Sequence, residues 1–287
     1  MTVRLGAREF GAQDLVVMAI VNRTPDSFYD RGAYLDDAAA MVAVDRAVEE
    51  GAGLVDLGGV KAGPGEPVDA AEEIARTAGF VAAVRRRHPR LVISVDTWRA
   101  EVGRAACEAG ADLLNDPWQG ADPGLAVVAA EHGAGLVCSH VGGLPPRTDP
   151  HRVAYDDVVA DVVATVTGLA ERALAVGVRQ DAILVDPAHD FGKNTYHSLE
   201  VTRRLDEVAA TGWPVLVAVS RKKFLGEVLN TEADDRLEAS LAATAVAAWL
   251  GGRFFRAHDV HATRQVLDTV ASVRGTRPPA VARRALA

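Results

Sequence analysis

Seven polar side chains stand directly behind short apolar runs of the sequence: Asn22, Asp96, Asn115, Asp186, Lys222, Arg256 and His258. Such a run reads as a buried strand, so each of these residues is delivered at or near a strand's C-terminal end. Two carboxylates and an Asn side chain suit a flat heterocycle with an amidine-like N–C–N edge. A carboxylate accepts two parallel N–H bonds, and an amide both donates and accepts. A pterin or guanine ring has that edge. Lys222, Arg256 and His258 come from the last two runs and make a cationic end beside the start of the final helix, which suits phosphate or pyrophosphate. Taken singly, an Asp or Asn in such a place more often makes a turn or caps a helix. The set together exceeds what turns require.

The elements that must position these residues alternate regularly. Apolar strands are expected at 15–21, 53–57, 91–95, 112–114, 135–138, 182–185 and 215–219, with an eighth at Phe254 and Phe255. Between them lie helical stretches such as 35–51 with Ala40, Val44 and Ala47 on one face, 155–175 with a valine stripe, and the Ala-rich 237–250. Asp259 is placed to cap the last helix. Strands without polar alternation, separated by helices, imply a parallel sheet buried on both faces. Eight such units in one chain predict a single (β/α)8 TIM barrel over residues 1–275, followed by a flexible C-terminal tail at 276–287. The competing open doubly wound sheet calls for a Gly-rich phosphate turn after the first strand, and Asn22-Arg-Thr-Pro-Asp-Ser-Phe28 is not one. In a barrel all strands point the same way, so the residues that end them converge on one rim.

Composition narrows the partners. The 39 acidic residues outnumber the 31 basic ones, giving a formal charge of −8. No nucleic-acid footprint is expected from such a surface, and an anionic ligand needs a local basic pocket. Cys107 and Cys138 have no metal-ligand neighbours and read as free, buried, inert thiols. No signal peptide or membrane span is expected, and the default location is the cytoplasm.

The spaced motifs carry a resemblance. Met18-Ala-Ile-Val-Asn-Arg-Thr-Pro-Asp-Ser-Phe28, Asp56-Leu-Gly-Gly59, Ser94-Val-Asp-Thr97, Ala109-Gly-Ala-Asp-Leu-Leu-Asn-Asp116, Asp186-Pro187 with Phe191-Gly-Lys193, Ser220-Arg-Lys-Lys-Phe-Leu-Gly226 and Arg256-Ala-His-Asp259 together resemble the dihydropteroate synthase family. The match runs from about residue 15 to 275 in the family's order. The resemblance implies a barrel that joins 6-hydroxymethyl-dihydropterin pyrophosphate to p-aminobenzoate, works with Mg2+, and forms a homodimer. It assigns Thr24, Asp96, Asn115, Asp186, Lys193, Ser220 and Lys222 to substrate binding, and Asn22, Arg256 and His258 to the pyrophosphate. Asn22 would hold the metal, while Lys222, Arg256, His258 and Asp30 would act in catalysis. Ionisation of the carbon–oxygen bond would leave a pterin cation for the arylamine to attack, so the enzyme's work is mainly electrostatic.

The chain departs from the family pattern in a few places. Gly58-Gly-Val-Lys-Ala-Gly-Pro-Gly65 stands for Gly-Gly-Glu-Ser-Thr-Arg-Pro-Gly, so Gly63 replaces an arginine that contacts the pyrophosphate. Arg23 replaces a small apolar residue, Tyr29-Asp-Arg31 a Ser-Asp-Gly, Ser139 a methionine, and Ala188-His-Asp190 a run of Gly and apolar residues. Losing one donor aimed at transition-state charge costs about 100- to 1000-fold in rate. The pattern reads as a divergent second-copy member with a retained pterin pocket and little or no synthase activity. Two other readings stay open: a working synthase in which Lys61 and Arg23 take over, and a pterin-dependent methyltransferase-type barrel.

Overall fold

Two short strands that no apolar run announces open the chain: β1 (Val3–Leu5) and β2 (Arg8–Phe10) pair as an antiparallel hairpin. Eight parallel strands follow: β3 (Val16–Asn22), β4 (Leu54–Gly58), β5 (Val92–Asp96), β6 (Leu113–Asp116), β7 (Gly135–Ser139), β8 (Ile183–Asp186), β9 (Val215–Val217) and β10 (Gly252–Ala257). They close into a barrel in sequence order, β10 pairing with β3 through Phe254↔Val16 and Arg256↔Met18. The computed structural model describes residues 1–23, 36–61, 63–149 and 153–284. The expected (β/α)8 barrel is therefore the architecture found.

Helices surround the strands: α1 (Asp37–Glu49), α2 (Ala70–Arg87), α3 (Ala100–Ala109), α4 (Gly124–His132), α5 (Val158–Ala175), α6 (Thr195–Arg203), α7 (Leu205–Ala209), α8 (Lys223–Leu229), α9 (Leu237–Trp249) and α10 (Val260–Val273). Their starts have chemical causes. Asp36, Asp69 and Asp157 each accept from amides of the first turn of α1, α2 and α5. Asp259 does occupy the cap position of α10, but it makes no capping bond, because its carboxylate is engaged by Arg221.

Alternation along each strand sorts the apolar residues into two bodies. Val17, Ala19, Val21, Val55, Leu57, Ile93, Val95 and Leu114 pack with the helices. Val16, Met18, Leu54, Val92, Leu113, Val137, Leu184, Leu216 and Phe254 form a second cluster inside the barrel, joined by Val3, Leu5 and Phe10 of the hairpin. The hairpin thus closes the base of the barrel, with Phe10 edge-on to Phe254 at 5.5 Å. One step further up, the inward positions turn polar.

At the other end of the chain, the amides of Thr276 and Arg277 still bond the Ala271 carbonyl at the close of α10. Among the described residues no helix is long and apolar enough to cross a membrane. Cys107 and Cys138 are free, and burial raises both thiols to about 12.

Candidate functional site

The inward positions above the apolar layer are Asn22 on β3, Asp56 and Gly58 on β4, Ser94 and Asp96 on β5, Asn115 on β6, Ser139 on β7, Asp186 on β8 and Arg256 on β10. Period-two alternation explains the selection, since each lies two or four residues beyond an apolar interior residue of its own strand. Asn22, Gly58 and Asp96 are in register across β3, β4 and β5, so Asn22 and Asp96 flank a glycine. A Cβ at Gly58 would meet Asn22 Oδ1 at 3.5 Å and Asp96 Cβ at 3.8 Å.

Asp56 is the hub of this layer, and the sequence reading quoted it only within the motif Asp56-Leu-Gly-Gly59 and gave it no site role. It is fully buried and accepts from Ser94 Oγ at 2.6 Å, Asn115 Nδ2 at 3.1 Å and Arg256 Nε at 2.6 Å. Arg256 also donates from Nη2 to Asp96 Oδ2 at 3.1 Å. Burial by itself would lower the Arg256 guanidinium, but Asp56 and Asp96 outweigh it and the group is held above its ordinary value. Burial pushes the Asp96 carboxyl up to about 8, against the pull of Arg256. The signal for Asp56 was present in the alternation of Gly53-Leu-Val-Asp-Leu57, where a lone carboxylate interrupts a buried run.

Asp186 accepts from the Ala188 amide at 2.7 Å, and burial raises its carboxyl while Lys222 opposes the shift. The Lys222 ammonium donates to the His189 carbonyl and lies 4.8 Å from the Phe191 ring centroid. Burial lowers Lys222, with Asp190 and Asp186 opposing. Ser220 and His258 meet at 3.0 Å between Oγ and Nδ1. Burial, then Arg256 and Arg221, bring His258 down to about 3, so the imidazole is neutral. The cationic end expected from sequence therefore consists of Lys222 and Arg256 without His258.

Lys193 does different work from the expected substrate contact. Its Nζ lies 2.7 Å from His140 Nδ1 and within 3.3 Å of the carbonyls of His140, Ala188 and Phe191. Four acceptors surround three protons, so the ammonium ties the loop after β7 to the loop after β8 from below. His140 in turn meets Asp161 of α5 at 2.6 Å through Nε2. Sequence alone gives no view of these carbonyls.

The rewritten positions can be placed as well. Arg23 is buried on the outward side of β3, with its guanidinium 4.5 Å from the Phe80 ring centroid and 2.6 Å from Asp37 Oδ1. It therefore does not stand in for the arginine missing at Gly63. The loop around Gly63 is held by Arg147, which donates to the carbonyls of Gly63 at 3.3 Å and Glu66 at 2.7 Å. Above the β5–β8 side of the rim, Trp118, Val141 and Ala188 pack with Trp98, Leu144 and Phe191 as an apolar wall. Thr24 and Asp30, with Tyr29, Arg31 and Ala62, lie outside the described residues.

The described donors do not fit a resident Mg2+. That ion requires near-octahedral oxygen ligands. Among the described residues no group of three or more His, Cys, Asp or Glu side chains could hold a metal. Asp56 and Asp96 are bonded to Arg256.

A family model described as "Pterin binding enzyme" matches residues 18–258. The chain is 58% identical over 291 residues to inactive dihydropteroate synthase 2 of Mycobacterium leprae, with 100% of both chains covered. It is 55% identical to the protein of the same name in Mycobacterium tuberculosis, covering 99% of this chain and 90% of the relative. The crystal structure of Yersinia pestis dihydropteroate synthase with a sulfonamide drug complex superposes with a TM-score of 0.91 at 32% identity, covering 96% of this chain and 100% of that one. The likeness spans both the barrel and the strand ends that carry the polar layer, and the chain belongs to the pterin-binding dihydropteroate synthase family.

Proposed function

We propose that this chain binds a pterin in the polar layer of its barrel and has lost most or all of the synthase reaction. The observation that carries the reading is a contrast within one rim. Asp96, Asn115 and Asp186 face inward as a set of acceptors and an amide suited to a pterin's N–C–N edge. The pyrophosphate side, by contrast, has Gly63 in the loop and Arg23 turned onto Phe80 and Asp37.

The chemistry follows from the parts. Departure of pyrophosphate needs positive charge aimed where negative charge accumulates. Arg256 already donates to Asp56 and Asp96, so these donors are engaged before any ligand arrives. Lys222, a second cation among the described residues, acts on Asp186 on the pterin side. Mg2+ would arrive bound to the pyrophosphate of the ligand, with Asn22 as its protein contact. A homodimer is proposed through α9, where Val246 and Trp249 are exposed; sedimentation analysis of the purified chain tests it.

The test of the central reading is calorimetric titration with a non-hydrolysable dihydropterin pyrophosphate analogue and Mg2+, followed by turnover on p-aminobenzoate. Binding without turnover is the expected result. Turnover at the rate of an ordinary synthase would overturn the reading, and absence of binding would remove the pterin assignment itself.

A further inference from the structure

The Asp56 carboxylate is fully buried and takes donors from three other strands. Its Oδ1 accepts from Ser94 Oγ at 2.6 Å, and Ser94 is its register partner on β5. Its Oδ2 accepts twice, from Arg256 Nε at 2.6 Å and from Asn115 Nδ2 at 3.1 Å. These bonds pin both ends of the carboxylate. They also decide which way the Asn115 amide faces. A carboxylate has acceptors and no donor, so the group of Asn115 turned toward Asp56 has to be the NH2. The reversed amide would set two oxygens against each other at 3.1 Å, inside a layer where an unmet polar group is costly. Asn115 Oδ1 therefore lies on the arm of the amide turned away from Asp56, and among the described residues nothing donates to it.

We propose that Asp56 is a positioning residue that sets the specificity of the pocket. By holding the NH2 of Asn115 it leaves the amide oxygen for the ligand, so the pocket selects a ring edge that brings an N–H to that point and rejects one that brings a lone pair. This deepens the reading above and rests on it for the ligand, a ring with an N–C–N edge. An unheld asparagine can turn its amide over and serve either kind of edge, because it carries both donor and acceptor. Asp56 removes that freedom before a ligand arrives. Arg256 reinforces the hold, since its second bond, from Nη2 to Asp96 Oδ2 at 3.1 Å, ties the guanidinium to β5 as well. A fixed acceptor that meets a lone pair is left unmet in a buried layer, so the wrong edge carries a penalty.

The experiment titrates 6-hydroxymethylpterin and 6-hydroxymethyllumazine into the full chain, in the wild type, Asp56→Ala and Ser94→Ala. The lumazine carries a carbonyl where the pterin carries its 2-amino group, so a donor of the N–C–N edge becomes an acceptor. The wild type is expected to favour the pterin by about tenfold or more, and Asp56→Ala to bring the two dissociation constants at least about fivefold closer. Ser94→Ala removes a bond to the other oxygen of Asp56 and is expected to keep the ratio within about twofold of the wild type. A loss of packing alone would weaken both ligands together and leave the ratio in place. The proposal is overturned by a wild type that binds both alike, by a ratio unchanged in Asp56→Ala, or by one that moves equally in Ser94→Ala. A second measurement needs no ligand. In the isotopically labelled wild type, the Asn115 side-chain amide is identified by its loss in Asn115→Ala. It is expected to exchange with solvent about tenfold or more slowly than exposed asparagine amides, and exchange at the exposed rate overturns the proposal. That rate decides the role of Asp56 if Asp56→Ala does not fold. Failure of the wild type to bind the pterin would remove the reading above, while the exchange rate still decides whether Asp56 holds Asn115.

Discussion

The lower and upper halves of the barrel interior are built from the same strands, two residues apart, and obey different rules. Below, Met18, Leu54, Val92, Leu113, Val137, Leu184, Leu216 and Phe254 fill the space with hydrocarbon. Above, Asp56, Ser94, Asn115 and Arg256 fill it with a closed set of hydrogen bonds. The lower layer gains stability from each methylene it buries. The upper layer holds together only while its charges remain matched, because a buried charge that loses its partner is costly. A strand can therefore carry stability and ligand chemistry on one face, separated by a single step of its alternation.

The largest effect should come from breaking the upper layer. Arg256→Ala leaves Asp56 and Asp96 buried without their cation and is expected to cost about 3–5 kcal/mol, read from urea unfolding. A loss below about 1 kcal/mol would mean that the two carboxylates are relieved by solvent. Next comes the lower layer. Leu54→Ala should cost about 2–4 kcal/mol by the same measurement while pterin affinity stays within about twofold. A large fall in affinity would show the layers to be coupled.

A pH series sharpens the comparison further. The folded Asp96 carboxyl is raised to about 8, so between the ordinary carboxylate value of 3.8 and about 8 the native state holds a proton that the unfolded chain has released. Its contribution to stability is therefore full below pH 3.8 and lost as the pH rises through about 8. The difference in stability between wild type and Asp96→Asn should shrink or reverse in sign across that window. A flat difference would mean that Asp96 is ionised throughout. The smallest effect is expected at the thiols. Cys107 and Cys138, both raised to about 12, should resist alkylation in the native state at neutral pH and react only on unfolding, as followed by mass spectrometry.

How much of this was legible in the sequence depends on which force sets the feature. The barrel was legible because parallel strands buried on both faces leave continuous apolar runs, and Val16–Asn22 or Val92–Asp96 need no partner to be recognised. The hairpin was not, because Val3–Leu5 and Arg8–Phe10 each run three residues and carry charge, and only the barrel base they cover makes them strands. Asn22, Asp96, Asn115, Asp186 and Arg256 were legible as polar residues ending apolar runs. Asp56 was quoted in a motif but given no site role, because it sits inside its run, two residues before the end. The roles of Lys193 and His258 depended on groups that composition cannot display: backbone carbonyls around the first and burial beside Arg256 and Arg221 for the second.

The hairpin at the barrel base also sets a schedule for synthesis. Phe10 packs on Phe254, and Arg253 donates to the carbonyls of Met1 and Gly11, so the hairpin must wait for β10, about 240 residues later. At roughly 5–20 residues per second, the wait is on the order of ten to fifty seconds. During that interval the apolar side of the hairpin has no final place to pack. A ribosome that stalls before β10 would carry a nascent chain with an open barrel and an uncovered base. Completion of β10 is thus the event that lets the hairpin take its place at the barrel base.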